Sequence, residues 1–333
     1  MRRRGAVLAL AVLAALGGCS GVQAPLAVAG AQADSLAALF TLMLWVCGIA
    51  YLLVLGFVGW SLLRTRRADG EAPRVDPASP GLDRSLGLWA VLIVAGLTVL
   101  VTGSFFVDRS LARARADDAV EVRVTGHQWW WRIQYRDPAS NRWIETANEL
   151  HLPVGRTARV SLEAADVIHS FWVPNVAGKM DVIPGRTNLI DMTPHRTGWF
   201  RGQCAEFCGT QHAHMAFDVK VESPAAFSAW LAAQAAPAVA DPAAARGAAV
   251  VTRGACAACH VVRGTPAAGR AGPDLTHLAG RRTIAAGTLA MARGNLQGWI
   301  ANPQALKPGT SMPVVPLAPA DLDAAARYLE TLK

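Results

Sequence analysis

"QCAEFCGTQHAHM", residues 203–215, sets two cysteines, two histidines and a methionine within thirteen positions. A disulfide between Cys204 and Cys208 would leave His212 and Met215 without a purpose. A structural zinc site takes Cys and His but has no use for Met. Soft thiolates with imidazole and a weak thioether suit copper, and two thiolates four residues apart can bridge two ions rather than serve one. Two coppers need one imidazole each. His212 and His214 are two positions apart and would face opposite sides of an extended chain, so a histidine from another strand fits better. The loop therefore asks for a fold that lays distant strands side by side.

The surrounding sequence supplies one. Residues 120–230 hold short alternating runs such as "VEVRVTG", "RTARVSLEA" and "MAFDVKV", bounded by Gly, Pro, Asn or Asp. That is the pattern of an antiparallel sandwich or barrel. "AAQAAPAVADPAAARG", starting at residue 232, is rich in Ala and Pro and reads as a linker over 232–246. Beyond it, residues 247–333 predict helical segments, the clearest being "TIAAGTLAMARGNLQGWIANP" and "APADLDAAARYLETLK".

Upstream, composition points to a membrane. The 333 residues are 52% hydrophobic and 17% charged, and mean hydropathy is +0.26. Two charge-free windows, 36–63 and 86–107, each exceed the roughly 20 apolar residues that cross a bilayer, within a hairpin at 34–107. The first eighteen residues, with Arg2, Arg3 and Arg4 before an apolar stretch, predict a secretory leader. "LGGC" resembles a lipoprotein box, so Cys19 is expected to become a lipidated N-terminus. Arg64, Arg66, Arg67, Arg74 and Arg84 mark the loop between the helices as cytoplasmic. Arg109, Arg113 and Arg115 pull the other way, but long domains translocate largely regardless of charge. Both termini and residues 108–333 are thus expected outside a bacterial inner membrane. Of the six cysteines, Cys19 and Cys47 stand apart and the other four form two close pairs. Close pairs flanked by histidine suggest cofactor sites more than structural disulfides.

"CAACH", Cys256–His260, is the C-x-x-C-H attachment pattern of c-type haem. Two thiols reach the two vinyl groups of one haem, and His260 ligates the iron. A thioether as sixth ligand would raise the potential. Met291 falls in a predicted helix, where packing is its default role. Met312, in the irregular "GTSMP", is the expected ligand.

"GPDLTHLAG" and "GTSMP" resemble the class I cytochrome c family across the C-terminal domain. "GHQWWW", "HSFWVP", "DVIPG" and "CAEFCGTQHAHM" resemble subunit II of the haem–copper cytochrome c oxidases, in order, from the membrane hairpin to about residue 222. The appended haem domain is similar to the caa-type branch. The resemblance implies a membrane hairpin, a cupredoxin-like Greek-key β-barrel over 108–231 and an all-α cytochrome c domain. It also implies a binuclear CuA centre in which Cys204 and Cys208 bridge two coppers. His169 and Met215 would complete one ion, and His212 with the Glu206 carbonyl the other. The Glu206 carboxylate would hold a magnesium ion shared with subunit I. Trp129 would be the exposed aromatic where electrons arrive, and Asp181 a carboxylate near the subunit interface. His214 matches no ligand, and Trp130, Trp131, Trp172 and Trp199 are expected to pack.

The implied function is electron relay from cytochrome c, or a cytochrome bc complex, through haem c and CuA to the haems of subunit I. There oxygen would be reduced to water with proton translocation. Subunit I, subunit III and the bilayer are the expected partners, and no nucleic acid. Nothing on this chain offers an oxygen-reducing haem–copper pair. The family often places a Glu before Trp at the start of the second helix. Here the stretch reads Leu86-Gly87-Leu88-Trp89, which removes an acid associated with proton uptake. The alternatives are a CuA subunit of a nitric oxide reductase and a copper chaperone.

Overall fold

The computed structural model describes residues 20–65, 80–113, 118–239 and 241–333. The expected leader, Cys19, and Arg66, Arg67, Arg74 and Arg115 lie outside the described residues. The described chain forms two compact units: 34–65 with 80–113, and 20–33 with 118–333.

The first unit is a pair of helices belonging to α1 (Ala31–Thr65) and α2 (Pro80–Arg113). Both overrun the predicted windows, because backbone hydrogen bonding continues into polar flanks where hydropathy has already ended. Each contains a window of mean hydropathy 2.4, none of it buried, so both are long and apolar enough to cross a membrane. Small residues let them approach. A Cβ on Gly103 would lie 2.7 Å from Leu42 Cδ2, and one on Gly96 would lie 3.4 Å from Val46 Cγ1.

In the second unit, β1 (Val120–His127), β2 (Trp130–Arg136), β3 (Trp143–Ala147), β5 (Ala158–Ala164) and β8 (Asn188–Met192) form one sheet in the order β3-β2-β1-β5-β8. The other runs β4-β10-β9-β6-β7, from β4 (Glu149–Pro153), β6 (His169–Trp172), β7 (Lys179–Val182), β9 (Gly198–Cys204) and β10 (Ala216–Glu222). Two separately bonded sheets make a sandwich, where a closed Greek-key barrel was expected. Both sheets are mixed: β1 pairs β5, and β10 pairs β4, in parallel. The chain leaves the first sheet for the second at Asn148, whose φ of 55° turns it out of the ladder. Its carbonyl Oδ1 accepts from Trp131 N at 2.8 Å.

Period-2 alternation builds the core. Trp131, Ile133 and Tyr135 all point inward from β2 and are fully buried. Trp131 meets Phe171 and Phe217 edge-on at 5.7 Å, and these two rings stack at 4.8 Å. Gly202 makes room for that stack, since a Cβ there would lie 2.0 Å from the Phe217 ring.

Helix α3 (Pro224–Ala235) packs on β3 and β4 through Phe227 and Leu231. Ser223 caps it by accepting from Ala226 N, with Pro224 at the first helical position. The predicted linker over 232–246 is therefore shorter: its first four residues finish this helix. Beneath it, buried His151 stacks on Trp230 at 3.8 Å and bonds Glu222 Oε1 at 2.7 Å, with Glu149 Oε1 3.4 Å from its other nitrogen. Burial opposes charge on His151, but the two carboxylates outweigh it and raise its pKa. A raised folded pKa stabilises fully below the ordinary value near 6.5 and loses that contribution as pH rises through the folded value. The stability gap between wild type and His151→Phe, which keeps the stack, is expected to narrow by roughly 3 °C between pH 6 and pH 9 in thermal melts. A gap independent of pH would contradict the charged assignment.

The haem-type domain is built on α4 (Ala245–Arg253) crossing α7 (Pro319–Leu329), with α5 (Arg293–Ala301) and the short α6 (Pro303–Leu306). Its core includes Val251, Leu278, Leu296, Ile300 and Tyr328. One expectation fails here. "TIAAGTLA" is not helical but a hairpin of β11 (Thr283–Ile284) and β12 (Leu289–Ala290) within an otherwise helical domain. Ala285 and Ala286 sit at φ 52° and 57°, unfavourable for alanine. Contacts hold them there: Ala286 O accepts from Ala216 N at 3.0 Å, and Ala285 O accepts from Lys307 at 3.3 Å. Met291 accordingly lies between β12 and α5, packed against the core.

Candidate metal centres

Strand β9 ends on Cys204 and β10 begins after Met215, and Cys204 N donates to Met215 O at 2.9 Å to close the neck of the loop between them. Antiparallel pairing of β6 with β9 sets Phe171 opposite Cys204 and brings His169 to the same end. The two sulfurs lie 3.7 Å apart. A disulfide bond would require about 2.05 Å, and both thiols are free and buried.

Around them stand four further donors. Cys204 Sγ is 3.9 Å from His169 Nδ1 and 3.2 Å from the Glu206 carbonyl oxygen. Cys208 Sγ is 3.7 Å from His212 Nδ1 and 3.8 Å from Met215 Sδ. His169 Nε2 bonds Asp166 Oδ1 at 2.8 Å. Donation of that N–H to a carboxylate leaves the Nδ1 lone pair on the thiol side, as a metal-bound imidazole requires. A Cβ on Gly126 would lie 2.8 Å from the His169 ring, so the ring position depends on glycine there. The hydrogen bond between the two sulfurs lowers the Cys204 pKa and raises that of Cys208. The donor set of two sulfurs, two imidazoles, a thioether and a carbonyl fits soft, copper-type coordination.

His212–His214 form a turn of 3-10 helix rather than an extended strand. The His214 ring turns instead to Gln211 Oε1 at 3.0 Å and is exposed. The Glu206 side chain and Asp181 are exposed too. Trp131 is fully buried, whereas Trp130, Trp172 and Trp199 are half-buried. Asp166 was not picked out from the sequence, although an acid three residues before a candidate histidine ligand is a readable sign.

The haem-type domain presents a cavity of about 220 Å³ lined by Cys256, Cys259, His260 and Met312. His260 Nδ1 donates to Pro273 O at 2.8 Å, leaving Nε2 available to a metal. A Cβ on Gly272 would lie 2.6 Å from that ring. Thiols, imidazole and thioether on one apolar cavity fit a covalently held haem.

Trp129 and Trp130, from the β-sandwich, line the same cavity. Trp129 was expected to be exposed and is not: it is 8% accessible because the haem-type domain covers it. Its indole N–H donates to Cys208 O at 2.9 Å, and Gln128 Nε2 donates to the same oxygen at 2.8 Å. The cavity wall is therefore one hydrogen bond from a residue of the copper-type loop.

The family described as cytochrome c oxidase subunit II, periplasmic domain, matches residues 136–222, and the cytochrome c family matches 244–333. Cytochrome c oxidase subunit 2 of Alkalihalophilus pseudofirmus is 35% identical over 286 residues, spanning 83% of this chain and 80% of that protein. The Bacillus sp. PS3 subunit 2 is 32% identical over 80% of each chain. Among solved structures, the periplasmic domain of cytochrome oxidase subunit II from Bradyrhizobium japonicum is 34% identical, with a TM-score of 0.33 over 36% of this chain and 95% of its own. With both domains matched in order on one polypeptide, the chain belongs to the cytochrome c oxidase subunit 2 family, in the form that carries its own cytochrome c domain.

Proposed function

We propose that the chain relays electrons from an external cytochrome donor to the haems of subunit I, through a covalent haem c and a binuclear CuA centre. When bound, these groups supply one-electron transfer with little change in bond lengths. Cys256 and Cys259 would attach the haem, and His260 and Met312 would hold its iron. Cys204 and Cys208 would bridge the coppers, His169 and Met215 completing one ion, and His212 with the Glu206 carbonyl the other.

One observation carries this reading. Cys204 lies beside His169 and the Glu206 carbonyl, and Cys208 beside His212 and Met215. Each thiol thus neighbours one terminal ligand of each ion. Sulfurs serving separate ions would each sit with both ligands of their own.

The protein's part is to hold these donors still and dry. Strand pairing sets the spacing of His169 and Cys204, Asp166 orients the imidazole, and the sandwich core excludes water behind Cys208 and Met215. Trp129 places an aromatic ring and its N–H between the haem cavity and the Cys208 carbonyl. The exposed Glu206 carboxylate is free to join a magnesium ion shared with subunit I. The two apolar helices would anchor the chain as an outside–in–outside hairpin against subunits I and III. Oxygen reduction and proton translocation belong to the complex.

The purified full chain is expected to carry two coppers and one c-type haem, with near-infrared mixed-valence absorption beside the haem bands. A preparation competent in haem but lacking that absorption would sink the copper assignment.

A further inference from the structure

Lys307 belongs to the haem-type domain, directly after α6, yet it is 2% exposed and its ammonium is spent on another domain. Nζ donates to Trp129 O at 2.7 Å and to His214 O at 2.8 Å, both on the β-sandwich. Its third bond, 3.3 Å to Ala285 O, ties it to the hairpin of its own domain. Three N–H donors meet three carbonyl acceptors, so the amine is buried with its bonds made, and burial lowers its pKa to about 7. An amine is costly to bury unless its bonds are made, and two of the three made here reach the β-sandwich. What the arrangement secures is the position of the two backbone segments that flank the copper-type loop on one side and carry Trp129 on the other.

Neighbouring contacts run the same way across the boundary. Gln211 Nε2 donates to Pro308 O at 2.8 Å, and Thr283 Oγ1 donates to Asp218 Oδ2 at 2.6 Å. Gln211 and Asp218 are themselves buried. Lys307 is the side chain that joins two sandwich carbonyls at once, and it also lines the haem-type cavity.

We propose that Lys307 is a positioning residue that latches the cytochrome c domain onto the CuA domain, keeping Trp129 covered and registered between the two centres. The latch itself stands on the geometry; its consequence for electron flow rests on the relay reading above. With the latch made, Trp129 serves this chain's own haem cavity and is closed to a soluble donor, which must approach through the haem domain instead.

Hydrogen–deuterium exchange on the full chain tests the latch without reference to electron transfer. Lys307→Met is expected to speed exchange of backbone amides in residues 128–131 and 211–216 about tenfold, because three carbonyls lose their donor and the boundary opens. Amides of α4 and α7 and the haem bands should stay unchanged, and Lys307→Gln, which keeps two N–H donors, should fall between. In the copper- and haem-loaded chain, Lys307→Met should also slow haem-to-copper electron transfer after flash reduction, with both absorption spectra intact. Unchanged exchange at 128–131 and 211–216 overturns the latch. If Lys307→Met instead unfolds the haem domain, Lys307→Gln decides, since it keeps two N–H donors at the same position: faster exchange at 128–131 and 211–216 supports the latch, and no change overturns it. A chain that fails to bind copper refutes the relay reading but leaves the exchange result standing.

Discussion

Cys204→Ser is expected to abolish the binuclear centre, dropping copper from two ions per chain to at most one and eliminating mixed-valence absorption. The reason is chemical before it is steric. A serine hydroxyl is nearly the same size as the thiol and would fit the 2%-exposed site at the end of β9. It does not ionise at neutral pH, however, and a hard oxygen is a poor ligand for copper. Contact with the Cys208 sulfur lowers the Cys204 pKa, which favours the thiolate that metal binding requires. Its loss takes away the donor that lies beside both His169 and the Glu206 carbonyl. Changing a group that hydrogen-bonds to a metal ligand usually costs about 10–100-fold in affinity, and loss of a bridging ligand exceeds that. Haem content should be unaffected, because Cys256 and Cys259 belong to another domain. Copper analysis with near-infrared spectroscopy reads the outcome, and a variant retaining the mixed-valence absorption would refute bridging by Cys204.

The second large effect is expected at Gly247→Val, which should cost the cytochrome domain at least about 3 kcal/mol, beyond ordinary overpacking. Any Cβ at 247 would lie 1.9 Å from the carbonyl oxygen of Ala324 and 2.8 Å from Tyr328 Cβ. The first obstacle is backbone on α7, so no side-chain rotation relieves it. The helices must separate, and Val251, Tyr328 and Leu329 lose their packing together. A domain with 5–15 kcal/mol in total has little to spare for that. Haem attachment per chain should fall severalfold while copper absorption persists, since α4 and α7 make no part of the copper-type loop. Wild-type haem content with an unchanged melting transition would show that the helices yield more easily than this packing allows.

How much of this could be read beforehand varied with the range of the interaction. Cys256–His260 and the loop 203–215 announced their chemistry because ligand type and short spacing are local properties. The two apolar spans were legible for the same reason: the requirement is length and absence of charge. The hairpin at 283–290 was not. Alanines at 285 and 286 favour helix, and they are held at positive φ by hydrogen bonds from Ala216 and Lys307, seventy residues back and twenty-two ahead. The start of the linker was not legible because Ala-rich sequence serves equally as tether or helix, and only Phe227 and Leu231 docking on the sandwich selects the helix.

Sequence by itself determined the inventory: two thiols, a thioether and histidines in one loop, a second thiol pair with its own histidine and methionine, and two spans long and apolar enough to cross a membrane. Residue chemistry and short spacing suffice for that much. Tertiary structure decided the selection. Pairing of β6 with β9 brings His169 to the thiols, while the His214 ring turns away to Gln211. Docking of the haem-type domain then buries Trp129 and encloses Lys307. Both are distances between segments far apart in the chain, set by strand register and domain contact, and no local pattern of residues encodes them.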